Sequence, residues 1–267
     1  MGFFEIFRPD IAALAAQKDY AGLVKALQYN DPAIQKEAGD ALEKAGAACV
    51  PALLAAISST EKNEGNLILP VLFRIDPLPL DQLDRVMPVL KQQYDEDPES
   101  IIRIFSGTSS NGIRFLGKML DSPEKKAQDL AIRVLKYLGE PVWPALTEAL
   151  VAHSHMLRYN AAKALVEGGW KPRTEEEYIR FKAAQGDWKE LAKMKKAAVP
   201  ALVALLSDNY YGIRRDAAAT LGKIGDPRAV VPLCAMLADP DPEICVSAAE
   251  ALRNIPDKRA IPPLVKA

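Results

Sequence analysis

Two short segments of this chain carry side chains that could bind a metal or recognise a partner. His153 and His155 flank one serine, and Tyr210 and Tyr211 follow Asn209 further along the chain. The histidines are spaced i, i+2 with no carboxylate beside them, which is a poor zinc ligand set. Exposed aromatic and histidine side chains in loops often recognise partners. Two interpretations stay open: a partner-binding patch or ordinary exposed loop residues.

Two arginines lie at matching positions in the first helices of two hairpins. Arg158 follows Leu157, and Arg214 follows Ile213. The same column is filled elsewhere by Gln35, Gln128 and Cys245. One interpretation is an anion-binding ladder that contacts a partner. The other is ion pairing with aspartates of nearby turns, such as Asp208 or Asp241, because repeated polar columns usually set hairpin register.

A run of lysines follows Trp188: Lys189, Lys193, Lys195 and Lys196. The run could bind a phosphate or an acidic partner, although such runs are more often the solvated face of a helix. The sequence has no Gly-rich phosphate loop, GxSxG, HExxH or Cys/His metal spacing. It therefore predicts no catalytic, cofactor-binding or metal-binding residue, and it favours a non-enzyme.

Composition sets the broad class. The 267 residues are 49% hydrophobic and 26% charged, which suffices for a substantial core. Net charge is −1, with −7 over residues 1–100 and +6 over residues 101–200. Nucleic-acid binders usually show a stronger basic bias, so nucleic acid is not the expected partner. No apolar run approaches the ~18 residues of a membrane span, and residues 1–7 lack the features of a secretory signal.

The cysteines bear on the compartment. Cys49, Cys234 and Cys245 lie in Ala/Leu-rich contexts and form no CxxC pair. We expect small buried thiols in a reducing cytoplasm rather than a disulfide framework.

The elements that carry these residues repeat with a period of about 31 residues. The leucines of one Ala-rich column are separated by 93, 30, 56 and 31 residues; they are Leu42, Leu135, Leu165, Leu221 and Leu252. A period of this size predicts stacked helical hairpins. We expect an all-α, right-handed α-solenoid of the armadillo/HEAT type with about seven hairpins, forming one domain over residues 1–267.

Helix-capping residues and prolines divide the predicted domain into segments. Residues 1–30 are predicted to form an N-terminal capping hairpin, with helices at 11–16 and 20–28. Residues 31–168 carry repeats whose motif is degenerate at 61–120, where helices are expected at 64–75, 81–94, 98–106 and 110–120. Prolines at 77 and 79 predict a connector, and Asp81 is expected to cap the following helix. Residues 198–267 form the C-terminal repeats.

A helical insert interrupts one repeat at residues 169–197. Thr174 with Glu177, and Asp187 with Glu190, have the spacing of N-terminal capping motifs. Trp170 and Trp188 are large enough to hold the insert against the array.

The repeat motif resembles a known family. The segments Asp31-Pro-Ala-Ile to Val50-Pro51-Ala-Leu and Gly212 to Pro232 are similar to HEAT-like repeats of the phycobilisome-lyase type. The insert, with Gly169-Trp170-Lys171-Pro172 and Asp187-Trp188, resembles one found in prokaryotic, often archaeal, HEAT proteins. The resemblance implies a solenoid. It leaves function open, because such repeats serve as scaffolds, chaperone-like subunits, bilin lyase subunits and a few enzymes.

Two enzymatic relatives can be compared by their residues. HEAT-repeat deoxyhypusine hydroxylase needs paired His-Glu motifs for two irons, but neither His153 nor His155 precedes a glutamate. HEAT-like alkylpurine DNA glycosylases use a basic groove with aromatic residues. The positive middle of the chain and its three tryptophans permit that interpretation, whereas the net charge weakens it.

The preferred function is therefore protein binding by a cytoplasmic scaffold. The alternatives are a lyase-like or chaperone subunit that handles a prosthetic group, and a nucleic-acid-binding protein. The second helices of the hairpins are expected to form the concave face; their column holds Ala52, Ala145, Glu148, Ala201, Ala204 and Ala235. Small residues there would let a partner approach the backbone. The candidate partner-binding residues are His153, His155, Tyr210, Tyr211, Arg158, Arg214 and Glu148.

Overall fold

The fold is taken from a computed structural model of the chain, which describes residues 8–59, 65–75, 85–105, 108 and 110–266. Two compact units are formed, Met1–Leu138 (unit 1) and Gly139–Ala267 (unit 2). The predicted connector at 76–80, the Asp81 cap and residues 1–7 lie outside the described residues.

Every regular element of the described residues is helical. Unit 1 contains α1 (Ile11–Ala16), α2 (Tyr20–Ala26), α3 (Pro32–Ala45), α4 (Val50–Ser59), α5 (Gly65–Arg74), α6 (Met87–Glu96), α7 (Pro98–Phe105), α8 (Ser110–Leu120) and α9 (Lys125–Leu138). Unit 2 contains α10 (Trp143–Ala149), α11 (His155–Glu167), α12 (Glu175–Gln185), α13 (Trp188–Lys193), α14 (Val199–Leu205), α15 (Tyr211–Ile224), α16 (Val230–Met236), α17 (Pro242–Arg253) and α18 (Ile261–Lys266). None of the described helices has the length and apolar character needed to cross a membrane.

Within each unit, consecutive helices pack against each other and against the next pair, for example α14 on α15 and α15 on α17. This arrangement confirms the predicted all-α, α-solenoid class. The right-handed sense, the hairpin count and the single-domain organisation stay predictions.

Helix starts and stops follow local chemistry. The side chains of Asp10, Asp19 and Asp31 each accept a hydrogen bond from a backbone N–H of the first turn, at 2.8–2.9 Å. Gly46 ends α3 with φ +62°, a conformation that costs a glycine little. Asp19, Asp31 and Gly46 thus bound their helices as predicted, whereas α2 ends at Ala26, two residues before the predicted end.

The degenerate stretch has a different core from the other repeats. The ring of Phe73 stacks on Phe105 at a centroid distance of 4.4 Å and on Phe115 at 5.2 Å, and all three side chains are buried. Bulky rings there replace the Ala/Leu packing, which explains why the motif is blurred. Helix α6 starts at Met87 within the described residues and ends at Glu96, two residues beyond the predicted end.

One hydrogen bond recurs in the hairpins. A side chain in the first helix donates to the carbonyl oxygen six residues earlier, in the preceding turn. The donor–acceptor pairs are Gln35–Tyr29 (2.7 Å), Gln128–Ser122 (2.7 Å), Arg158–Ala152 (2.6 Å), Arg214–Asp208 (3.0 Å) and Cys245–Asp239 (3.2 Å). This bond satisfies a turn carbonyl and sets the register of each hairpin.

The insert forms α12 and α13. Thr174 caps α12 by accepting from the Glu177 N–H at 3.1 Å. The Glu177 carboxylate accepts from the N–H of Arg173 at 2.6 Å, one residue earlier than a capping box requires. Trp170 is buried edge-on to Phe181, with centroids 5.3 Å apart, and Trp188 packs half-buried against the core of unit 2. Trp188 therefore packs against the core as predicted, whereas the ring contact of Trp170 lies within the insert, and its anchoring to the array stays a prediction.

Two arginines link three successive turns of unit 2, which precede α14, α16 and α18. Arg228 pairs with Asp226 and donates to the carbonyl of Lys196 at 2.7 Å. Arg259 pairs with Asp257 and donates to the carbonyl of Pro227 at 3.1 Å. Each arginine thus connects its own turn to the preceding one.

The pair of Asp257 and Arg259 predicts that the stability of unit 2 falls in acid. Hydrogen bonds from the side chain and backbone of Arg259 lower the pKa of Asp257 to about 2 from its ordinary value of 3.8. Because the folded-state pKa is the lower one, the carboxylate stabilises unit 2 above about pH 4, and this contribution is lost between about pH 4 and pH 2. We expect Asp257→Asn to lower the urea midpoint at pH 5 and to have less effect near pH 2, as measured by circular dichroism. Asp40→Asn, at an exposed site in unit 1, is the control, and equal effects of both substitutions at pH 5 would contradict the expectation.

Candidate partner-binding site

The aromatic edge of unit 2 consists of His153, His155, Tyr210 and Tyr211. His155 is the first residue of α11, and Tyr211 is the first residue of α15. The His155 and Tyr210 rings stack in parallel, with centroids 4.0 Å apart and an interplanar angle of 9°. Tyr211 lies 5.3 Å from Tyr210. The structure therefore brings three of the four predicted residues together: His155 and Tyr210 stack, and Tyr211 is tilted by 55° against Tyr210. Both tyrosines are more than 40% exposed.

Local contacts fix the Tyr210 ring. The Oδ1 atom of Asp208 accepts a hydrogen bond from the Tyr210 N–H at 2.9 Å. Gly212 leaves room for the ring, because a Cβ at this residue would lie 2.9 Å from Cε1 of Tyr210. The stack is thus preorganised by the loop and not by a partner.

Arg158 holds the loop before Tyr210 in place through an ion pair with Asp208. Its Nη2 atom lies 2.6 Å from Oδ2 of Asp208, and its Nη1 atom donates to the carbonyls of Ala152 and His153 at 2.6 and 3.1 Å. Both side chains of the ion pair are more than nine-tenths buried. The sequence interpretation that pairs Arg158 with Asp208 is confirmed, and this guanidinium holds two successive loops together.

Arg214 repeats the arrangement one hairpin later. It contacts Asp239 through Nε at 3.1 Å and Nη2 at 3.2 Å. Asp241, one of the two turn aspartates named as examples from the sequence, instead caps α17 by accepting a hydrogen bond from the Glu243 N–H. The geometry favours ion pairing over an anion-binding ladder. Direct contact of Arg158 or Arg214 with a partner stays a prediction.

A groove of about 710 Å³ opens beside the aromatic edge. Its lining comes mainly from residues 150–153, which follow α10, from the insert helix α12, from α14 and from the loop 207–209. The apolar lining consists mostly of small side chains: Ala152, Ala183, Ala184, Ala197, Ala201 and Ala204, with Leu150, Val151, Ile179, Pro200 and Leu205. His153 lines the groove and also belongs to the aromatic edge, so the two surfaces are continuous.

The charges around the groove are mostly paired. Arg158 is paired with Asp208, and Arg180 with Glu176. Glu175 lines the groove, is exposed, and has no ion-pair partner among the described residues. Glu148 is exposed on α10, one helical turn before Val151, and occupies the position that Ala204 takes in α14. The unpaired charge near the groove is therefore acidic.

Two features of the described residues bear on metal binding and thiol chemistry. No group of three or more His, Cys, Asp or Glu among them is arranged to hold a metal ion. Burial raises the pKa of the Cys49 thiol to about 11, so this thiol is unreactive at neutral pH.

Sequence reasoning identified the aromatic edge but missed the groove. Ala201 and Ala204 were assigned to a concave face, yet one wall belongs to α12, whose position depends on tertiary packing. The available signal was a helical insert placed immediately before a small-residue helix.

Comparison with known proteins supports the repeat assignment. A family model for HEAT repeats matches residues 173–253 and 199–267, so this part of the chain carries HEAT repeats. No match to the chain is found among curated proteins.

Several solved structures are similar at low identity. An engineered protein is 23% identical, with coverage of 96% of this chain and 73% of that one and a TM-score of 0.26. Human deoxyhypusine hydroxylase in complex with glycerol is 18% identical, with coverage of 92% and 99% and a TM-score of 0.29. A designed armadillo repeat protein in complex with peptide (KR)4 is 13% identical, with coverage of 88% and 99% and a TM-score of 0.26. Similarities this weak say nothing about function.

Proposed function

We propose that this chain is a non-catalytic protein-binding scaffold that binds a peptide segment of its partner in the groove of unit 2. One observation carries the proposal: an apolar groove of about 710 Å³ is continuous with an exposed, preorganised aromatic stack. Aromatic anchors beside a small apolar pocket are typical of binding hot spots. HEAT-type arrays offer extended surfaces that suit this role.

The charges support one class of occupant. Glu148 and Glu175 are exposed and unpaired among the described residues, whereas the arginines of the groove are already paired. A segment with an apolar side chain flanked by Lys or Arg would fill the groove and meet both carboxylates. The faces of Tyr210 and Tyr211 can also take a cation at close range.

A selection experiment tests this proposal. Random dodecapeptides displayed on phage would be selected against the whole protein, and the enriched peptides measured by fluorescence anisotropy. We expect an apolar anchor flanked by basic residues. Ala204→Trp, which fills the groove, should weaken binding by about 30-fold or more, as expected for loss of a hot spot of ~2 kcal/mol. Tyr210→Ala and Glu175→Gln should weaken it less.

Ala235→Trp is the matched control. Ala235 occupies the position of Ala204 one repeat later, is exposed, and does not line the groove. This substitution should leave the affinity unchanged. Enrichment of peptides that bind wild type and Ala204→Trp equally, or failure to enrich any groove-dependent peptide, would count against the proposal.

The volume of the groove also favours a second candidate, the handling of a prosthetic group. Small-molecule sites enclose roughly 300–1,000 Å³. This candidate predicts a ligand that survives purification, is seen by native mass spectrometry, and is absent from Ala204→Trp but present in Ala235→Trp. Purified protein that contains no such ligand would remove it.

A further inference from the structure

The opposite edge of unit 2 from the aromatic stack carries a row of cations. Three successive turns that precede α14, α16 and α18 contribute Lys195 with Lys196, Arg228, and Lys258 with Arg259. We call this row the basic edge. It lies at the far end of α15 from Tyr211, and a helix of 14 residues is about 21 Å long. The basic edge is therefore a surface separate from the groove.

Hydrogen bonds hold the three turns in register. The Arg228 guanidinium donates to the carbonyl of Lys196, and the Arg259 guanidinium donates to the carbonyl of Pro227. Asp226 and Asp257 neutralise these two arginines. The lysines at 195, 196 and 258 are exposed and have no ion-pair partner among the described residues, although the charge of Lys196 does help to lower the pKa of Asp226. Lys195, Lys196 and Lys258 therefore give the basic edge three positive charges in excess, on turns that hydrogen bonds hold in place.

Lys195 adopts an unfavourable backbone conformation, with φ +51°. It stands five residues before Pro200, just as Gly46 stands before Pro51 and Gly139 before Pro144. Those two glycines have φ +62° and +65°. A left-handed backbone conformation is unfavourable for a lysine because of its Cβ, so a lysine at this position lowers the stability of the fold, whereas a glycine would not. Packing does not explain the lysine, because its side chain is exposed.

We propose that the basic edge binds an acidic peptide segment of a partner protein. Stacked helices lie about 8–10 Å apart, and a peptide in the polyproline II conformation has three residues per turn with a rise of about 3.1 Å per residue, so carboxylates three residues apart would share one face and meet successive turns. A segment of about eight residues would span the three turns. This proposal does not rest on the groove, and neither site requires the other.

The observations favour a peptide over a nucleic acid. The described exposed aromatic side chains of unit 2 are Tyr159, Tyr210 and Tyr211, and none belongs to the basic edge. Single-stranded nucleic acids are usually bound by aromatic rings interleaved with cations. The net charge of the chain, −1, also lacks the basic bias of nucleic-acid binders.

The test measures a labelled octaglutamate peptide by fluorescence anisotropy at low salt, using the whole protein. Wild type should bind it saturably. The variant Lys195→Gln/Lys196→Gln/Lys258→Gln should bind about tenfold more weakly, since each exposed ion pair contributes modestly. The control Lys25→Gln/Lys36→Gln/Lys44→Gln removes the same charge from exposed sites of unit 1 and should change the affinity less than about twofold.

A single substitution separates binding from folding. Lys195→Gly should raise the melting temperature, because glycine accepts the positive φ, and should still weaken octaglutamate binding by about two- to fivefold. A purely structural lysine would not produce both effects.

Three results would overturn the proposal. The first is absence of saturable octaglutamate binding by wild type. The second is an equal loss of affinity in the two triple variants, which would indicate a net-charge effect alone. The third is tighter binding of an oligothymidylate of the same charge, lost in the Lys195/Lys196/Lys258 variant, which would make a nucleic acid the occupant. Groove peptides should bind all these variants normally, so failure of this proposal is distinguishable from failure of the groove proposal.

Discussion

Replacing Arg158 with alanine is expected to destabilise unit 2 by about 3–5 kcal/mol, the cost of leaving one charge of a buried ion pair without its partner. Asp208 would keep only the N–H of Tyr210 as a described side-chain contact. The carbonyls of Ala152 and His153 would also lose their donor. The loss therefore affects two loops at once.

Urea unfolding followed by circular dichroism would measure the destabilisation, and hydrogen exchange at residues 207–212 would locate it. The double variant Arg158→Ala/Asp208→Ala should recover part of the loss, because no buried charge is left unpaired. Gln128→Ala is a useful comparison, since Gln128 donates to a turn carbonyl in unit 1 but forms a neutral hydrogen bond. A cost below about 1 kcal/mol for Arg158→Ala would show that the pair is not buried as described.

Trp170→Ala should unfold the insert locally. Trp170 is 8% exposed, and its ring packs against Phe181. Truncating a buried tryptophan typically costs about 3–5 kcal/mol through lost burial and the cavity left behind. We expect local unfolding of α12 and α13, because the Trp170–Phe181 contact lies within the insert. Loss of the α12 wall should also abolish peptide binding in the groove.

Hydrogen exchange distinguishes this local effect from global destabilisation. Protection should fall in residues 175–193 and persist in α15 and α17. Tyr159→Ala is the control, because Tyr159 is an aromatic side chain of α11 that is 54% exposed. Unchanged protection of the insert in Trp170→Ala would contradict the anchoring role.

Much of the fold could be predicted because its determinants are local. Asp31 begins α3 and Gly46 ends it, and both act through contacts within a few residues. The spacing of the Ala/Leu columns follows from helix geometry. The insert was predicted for the same reason, since Thr174 and Asp187 cap their own helices.

The remaining features depend on contacts between distant residues. The groove needs α12 to lie beside α14, and no local pattern encodes that placement. The Phe73 cluster joins residues more than 30 positions apart. The sequence could not select Asp239 as the partner of Arg214, because the same turn also holds Asp241, which caps α17. Of the candidate site, the stacked rings could be predicted as neighbours from repeat register, but the cavity beside them could not.

The recurring bond from the first helix to its own turn has a consequence for exchanging hairpins between arrays. Where Gln35, Gln128 or Cys245 makes this bond, the bond is neutral, and its loss leaves no charged group without a partner. Where Arg158 or Arg214 makes the bond, the same side chain also pairs with an aspartate of the following turn. The hairpins of α11, α15 and α17 should therefore be transplanted only as one block.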